Sequence, residues 1–353
     1  MIFLRKNKTL YLPFTFVNNV ITTEVMKNCL LTALLLVFLS CGNHESDLKI
    51  ITGNAIGTTF TVRYLDAGSN NYETKIDSLI AVINKSASTY IPTSDLSKIN
   101  KGDTTVLVDT NLKEVFTKSE KIYKETEGAF DPTIGILVNA WGFGPEKPIE
   151  NLDSLKVTAL LKYVGYEKVR LENGKIKKLY PEIYLDFNAI AKGYLVDMVS
   201  RMFEKSGVAN YMVEIGGEIR ARGQNEKGTF WKIAIENPNT DGSRSFATVI
   251  ELKDESIATS GNYRKFKIKE DGTKYVHTIN PKTGYAKESN LLSASVISKS
   301  DCADVDGYAT AFMEMGFEKS IDFLKNHPEL KAFLIFVTEK GEMQTYKSDN
   351  FEN

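Results

Sequence analysis

Cysteine is close to absent from this chain, and the three that occur exclude a disulfide scaffold. Cys29 and Cys41 sit in an N-terminal segment, which leaves Cys302 alone in the remainder, so no internal framework of bridges can hold the folded part together. Net charge is missing too: 44 basic and 45 acidic side chains give a formal −1. That balance, with no basic stripe carrying interleaved aromatics, argues against a general nucleic-acid binder. Long apolar runs are also lacking. Leu30 to Leu39 is too short for a comfortable transmembrane helix. What is present is an ordinary globular composition, 42% hydrophobic and 25% charged over 353 residues, enough for one large domain or two intimate ones.

Met26-Lys27-Asn28 precedes that apolar run, which stops at Ser40-Cys41-Gly42. A basic start, a short apolar stretch and a small residue before the cut describe a signal peptide. Residues 1–25 read as an upstream extension, 26–41 as the signal, 42–47 as a polar tether and 48–350 as the working domain.

Ile50 to Tyr64 alternates loosely as a strand interrupted by glycines, and Ile76, Leu79, Ile80 and Ile83 repeat at helical spacing. Asp109 can cap a helix whose apolar face is Leu112, Val115, Phe116 and Ile122. Asn173-Gly174 marks a hairpin. Leu185 to Gly193 reads as a strand running into a helix, with Lys192 at the start of that helix, where a positive charge would favour an anion. A plain surface lysine is the alternative. Gly216-Gly217, between two strand-like runs, suggests a bulge or a close backbone approach to a ligand. The short strands from Phe230 to Ile268, with turn residues between them, are those of an antiparallel sheet.

Two later stretches carry the chemistry. Tyr275 to Gly284 places His277 at a strand end beside a Pro/Gly turn, and Asp306 and Thr310 stand four residues apart on a predicted helix from Ala303 to Met315. Residues i and i+4 share a helix face, so a carboxylate and a hydroxyl can reach one hard cation. A histidine near neutral pKa beside a magnesium-type site suits phosphoryl chemistry. The plainer readings are a structural strand histidine and a first-turn helix charge.

In sequence order, these motifs resemble the ApbE family of FAD-dependent flavin transferases. The resemblance rests on Gly57-Thr58-Thr59-Phe60, Ser88-Thr89-Tyr90, Gly128-Ala129-Phe130-Asp131-Pro132, Trp141-Gly142-Phe143-Gly144, Ala191-Lys192-Gly193-Tyr194 with Asp197, Ile215-Gly216-Gly217-Glu218, Thr259-Ser260-Gly261, His277 with Ile279, Pro281, Thr283 and Gly284, and Asp306 with Ala309-Thr310. It covers about residues 48–345. Cysteine at the signal cut resembles a bacterial lipoprotein, with Cys41 lipidated and the chain anchored on a membrane facing the periplasm.

The resemblance implies an α+β (mixed α/β) fold with a T-fold-like core, mostly antiparallel sheets packed with helices. It implies transfer of FMN from FAD to a Thr or Ser hydroxyl of an acceptor protein, with Mg²⁺ and release of AMP. By the same resemblance, Ala189 (through its carbonyl), Asp306 and Thr310 hold the metal. Ile56, Tyr90, Ala129, Phe130, Asp131, Lys192, Ser260 and Ile279 contact FAD, and His277 is the base. The chain departs from the family's usual residues at Ile56, Glu214, Asn262 and Asn280, where methionine, asparagine, aspartate and aspartate are frequent. Two other functions use the same residues: an FAD pyrophosphatase in which water replaces the hydroxyl, and a non-catalytic flavin-binding lipoprotein.

Overall fold

The computed structural model describes residues 47–66, 68, 70–239, 243–261, 278–285 and 289–351, with 266–268 and 274–276 described as strand backbone. Cys41, Asn262 and His277 lie outside the described residues.

The chain builds one eight-stranded sheet in which every neighbouring pair is antiparallel, in the order β1-β2-β5-β6-β9-β12-β13-β14. Its strands are β1 (Asp47–Ala55), β2 (Thr58–Asp66), β5 (Asn210–Ile215), β6 (Glu218–Arg222), β9 (Ser256–Gly261), β12 (Leu291–Ser298), β13 (Lys331–Val337) and β14 (Met343–Lys347). Three two-stranded ribbons stand apart: β3 (Val169–Glu172) with β4 (Lys175–Lys178), β7 (Trp231–Glu236) with β8 (Phe246–Leu252), and β10 (Phe266–Ile268) with β11 (Lys274–Val276). The helices are α1 (Glu73–Ala87), α2 (Asp95–Asn100), α3 (Thr110–Glu125), α4 (Gly135–Ala140), α5 (Ser154–Leu161), α6 (Asn188–Lys205), α7 (Cys302–Met315) and α8 (Phe317–Lys325). The α+β expectation therefore holds.

Local chemistry sets most boundaries. Asp109 caps α3 by accepting from the Leu112 N–H at 2.8 Å, and Ser94 caps α2 from the Ser97 N–H at 3.0 Å, each satisfying a donor that the first turn leaves unpaired. Asn173 and Gly174 take φ of 49° and 73° and close the β3–β4 hairpin, the left-handed pair that a two-residue turn requires.

Three expectations change. The long strand over Ile50 to Tyr64 is two strands folded at Ile56-Gly57, with Ala55 opposite Thr58. Gly216-Gly217 is not a bulge but the turn of the β5–β6 hairpin, with φ of 64° and 101°. Leu185 to Phe187 joins no sheet ladder. Asn100 clamps it instead, its amide donating to Leu185 O and accepting from Leu185 N at 2.8 Å each.

Strand alternation divides the core. Val213, Ile215, Ala258, Val296 and Leu334 face the helices, whereas Met212, Ile219, Ile257, Ile297 and Phe333 face the β7–β8 ribbon. The central helix α7 is buried at every residue except Thr310 and Met315, as expected of a helix packed on several sides. It meets α6 so closely that a Cβ on Gly193 would lie 2.4 Å from Cys302 O, a contact only glycine permits.

Candidate active site

The α6–α7 contact creates the site. Asp306 is 2% exposed, and its Oδ2 accepts from the Gly193 backbone N–H at 3.1 Å. In an unbroken helix that N–H belongs to the Ala189 carbonyl. The same bond that orients Asp306 therefore brings its carboxylate to the turn of α6 where Ala189 O lies. Asp306 Oδ1 lies 3.8 Å from Lys192 Nζ, which in turn sits 2.5 Å from Glu218 Oε1. One turn along α7, the Thr310 hydroxyl meets the Ser260 hydroxyl of β9 at 3.3 Å. Asp306, Thr310, Lys192, Ser260 and the Ala189 turn are thus brought together.

Lys192 stands deeper in its helix than the sequence suggested. It is the fifth residue of α6 rather than its first, and its ammonium is spent on two carboxylates rather than on the helix N-terminus. Burial would lower its pKa, but Asp306 and Glu218 beside it hold it well above the ordinary lysine value. Burial pushes the Glu218 carboxyl up, against the pull of Lys192, and also raises Asp306, against Lys192 and the Gly193 N–H. Two buried carboxylates thus share a single ammonium, and Glu218 Oε2 is buried without a hydrogen-bond partner.

That imbalance is what a divalent cation relieves, and the donor set fits magnesium. Among the described residues no group of three or more His, Cys, Asp or Glu could hold a metal. Magnesium instead takes one or two carboxylates, other oxygens, water and substrate phosphate. Asp306 Oδ1, the Thr310 hydroxyl and the Ala189 carbonyl supply such a set.

The remaining candidates lie on loops and turns outside α6 and α7. Ile56 carries φ of 40°, a strained conformation for a β-branched residue. It lines an open cavity of about 490 Å³ together with Asn54, Thr58, Ile80 and Asn84. Thr58 in turn adjoins Gly216 and the Lys192 stem, since a Cβ on Gly216 would lie 2.8 Å from Thr58 Cγ2 and 3.3 Å from Lys192 Cδ. Tyr90 is 61% exposed, on a loop held by Ser88, whose hydroxyl accepts from the Tyr90 and Ile91 N–H groups at 3.1 Å.

Ala129 is half-buried, but the Phe130 ring lies inside the main core near Gly307, so its side chain is committed to packing. Asp131 accepts from Thr133 N at 2.8 Å and Thr133 Oγ1 at 2.6 Å, and burial raises its pKa to about 6. The Ile279 side chain packs with Leu137, Val157 and Val164 in a satellite cluster. For Phe130 and Ile279 the backbone is what remains for a ligand.

Three residues were given no chemical role by sequence pattern: Glu218, Asp197 and Glu314. Glu218 had a visible signal, standing directly after the Gly-Gly turn. Glu214 turns back to accept from the Gly217 N–H at 2.8 Å and so braces the turn that presents Glu218. Asn280 accepts from Lys282 N and Thr283 N at 2.9 and 2.7 Å while its amide donates to Glu314 Oε1. Only an amide can do both; an aspartate there would set like charges together.

The sequence model of the ApbE family matches residues 56–334. The chain is 36% identical over 334 residues to a FAD:protein FMN transferase of Vibrio cholerae, covering 93% of this chain and 98% of that protein. It is 35% identical over 331 residues to a FAD:protein FMN transferase of Haemophilus influenzae, covering 90% and 94%. Among solved structures, the flavin transferase ApbE from Vibrio cholerae superposes with a TM-score of 0.78 at 36% identity, covering 87% of this chain and 98% of that one.

Proposed function

The chain belongs to the ApbE family, and from that membership we propose that it transfers FMN from FAD to a Thr or Ser hydroxyl of a protein acceptor, with magnesium bound and AMP released. The observation that carries the magnesium-assisted reading is the clustering of Asp306, Thr310, the Ala189 turn and Lys192 where α6 crosses α7.

In this reading the acceptor oxygen attacks the FMN-side phosphorus of FAD. The bond from that phosphorus to the bridging oxygen breaks, and AMP leaves with the bridging oxygen. His277 takes the hydroxyl proton, a contribution of typically about 10²–10⁴-fold. Lys192 offers positive charge to the diphosphate, held in place by Glu218. Asp306 and Thr310 would hold a divalent cation, whose charge would offset the negative charge developing on the diphosphate. Ile56, Ala129, Tyr90 and Ser260 bound the donor site, with backbone supplied at Phe130, Asp131 and Ile279. The apolar run ending at Ser40-Cys41 supports lipidation at Cys41 and a place on the periplasmic side of a bacterial membrane.

The test is the full chain in detergent with FAD, Mg²⁺ and a threonine-bearing flavin acceptor. Covalent FMN fluorescence on the acceptor, lost in His277→Ala and in EDTA, is the expected result. AMP released equally fast without acceptor would replace transfer with hydrolysis, and no turnover at all would leave only binding.

A further inference from the structure

Asp197 lies in the Ala191-Lys192-Gly193-Tyr194 run's own helix, fully buried, and the reaction above gives it nothing to do. Its carboxylate crosses from α6 to the first turn of α7, where Oδ1 accepts from Cys302 N at 2.8 Å and Oδ2 accepts from Ala303 N at 2.9 Å. Those are two of the donors a helix start leaves unpaired. The side chain of Asp301, at the N-cap position itself, does not cap them. Four residues earlier on α6, Gly193 N donates the other way, to Asp306 Oδ2. Four residues separate Cys302 from Asp306 as well. The two helices are therefore clasped twice, once by a carboxylate from each.

One strand braces both halves. Arg220 and Glu218 are two residues apart on β6 and so share a face. Glu218 pairs with Lys192, and Arg220 NH1 reaches Asp197 Oδ1 and Asp301 Oδ1 at 2.8 Å each. Asp301 is also held by Lys118 at 2.9 Å and Arg201 at 2.7 Å. The start of α7 is consequently held by Asp197 at its backbone and by three cations at or beside Asp301.

We propose that Asp197 is a positioning residue for the cation site: by holding the first turn of α7 against α6 it sets where Asp306 Oδ1 and Thr310 stand relative to the Ala189 carbonyl. This rests on the reading that those three groups hold a divalent cation. Magnesium demands near-ideal octahedral geometry at about 2.0–2.1 Å, and a site must be held to within about 0.5 Å. Asp306 lies one turn, about 5.4 Å, beyond the clasp, so slack at Cys302 reaches it directly. The FAD-binding loops at Ile56 and Tyr90 sit on other elements and do not depend on it.

The experiment compares full-length parent, Asp197→Asn and Asp306→Asn, reading Mn²⁺ affinity by electron paramagnetic resonance and FAD affinity by flavin fluorescence in EDTA. Asp197→Asn keeps one acceptor oxygen but turns an N–H toward α7 or Arg220. It should weaken Mn²⁺ tenfold or more, leave FAD affinity within twofold, and regain transfer at raised Mg²⁺. Mn²⁺ affinity within twofold of parent in folded Asp197→Asn overturns the proposal, as does equal loss of FAD and Mn²⁺ binding. If Asp197→Asn does not fold by circular dichroism, Arg220→Gln decides: threefold or greater weakening of Mn²⁺ supports the clasp and unchanged affinity overturns it. Mn²⁺ binding untouched by Asp306→Asn would show instead that the cation reading itself has failed.

Discussion

The eight-stranded sheet has two faces made by alternate residues of the same strands, and they bury different things. Under the β7–β8 ribbon the cluster is apolar, with Trp231, Ile235 and Leu252 closing over Met212, Ile219 and Ile257. The one polar atom of the Trp231 indole is satisfied by Arg222 O at 3.1 Å. Under the helices, a larger apolar core surrounds Lys192, Glu218, Asp306, Asp197 and Arg220. An apolar cluster only needs shape and area to be stable. Buried charges lose their hydration and must be repaid by named partners. The ribbon face can therefore be altered at a cost in stability alone, while the helix face couples stability to chemistry.

Four substitutions sharpen that contrast. Lys192→Met strands Glu218 and Asp306 beside each other, and should cost about 3–5 kcal/mol, read as a fall in urea midpoint; adding Glu218→Gln should return part of it. Asp306→Asn should lower transfer roughly 10²–10³-fold, about 3–4 kcal/mol of barrier. Its Tm should hold or rise, because one of two carboxylates sharing an ammonium is gone. On the ribbon face, Leu252→Ala should cost about 2–4 kcal/mol yet leave transfer per folded molecule within about twofold, a loss smaller than the 2.7 kcal/mol floor typical of a removed oxyanion donor. If Leu252→Ala instead abolished transfer in the folded protein, the two faces would not be independent.

The smallest effect is a pH dependence. Burial raises Asp131 from 3.8 to about 6, so the folded chain keeps a proton that the unfolded chain has released between those values. Its contribution is full below about pH 4 and is lost as pH rises through about 6. Asp131→Asn retains the acceptor for Thr133 and removes the titration. Relative to parent, the variant should gain about 2 kcal/mol between pH 4 and pH 8, measured by denaturant melts at each pH. Parallel stability curves for the two proteins would exclude Asp131 as the source.

Much of the scaffold was legible in the sequence. The Asp109 cap, the Asn173-Gly174 hairpin and the α7 span with Asp306 and Thr310 one turn apart all depend on residues a few positions from one another. So does the order of family motifs, each of which is a local phrase. The misread elements were local phrases with two solutions. Gly216-Gly217 serves a hairpin turn as well as a bulge, and the backbone of Leu185 can be held by the Asn100 amide as well as by a neighbouring strand. Phe130 and Ile279, which the family resemblance implied as FAD contacts, have side chains that fill neighbouring cores, a placement no local phrase shows.

The sequence alone determined where the chain turns, which strand residues alternate, which helix carries a carboxylate and a hydroxyl on one face, and which family it resembles. Tertiary structure alone decided which charges meet. Gly193 and Asp306 are 113 residues apart, and Asp197 and Ala303 are 106 apart. Turns and caps are bonds within a few residues, so their cause is written beside them. A buried ion pair exists only where folding has removed water from both partners, and that depends on how the whole chain closes.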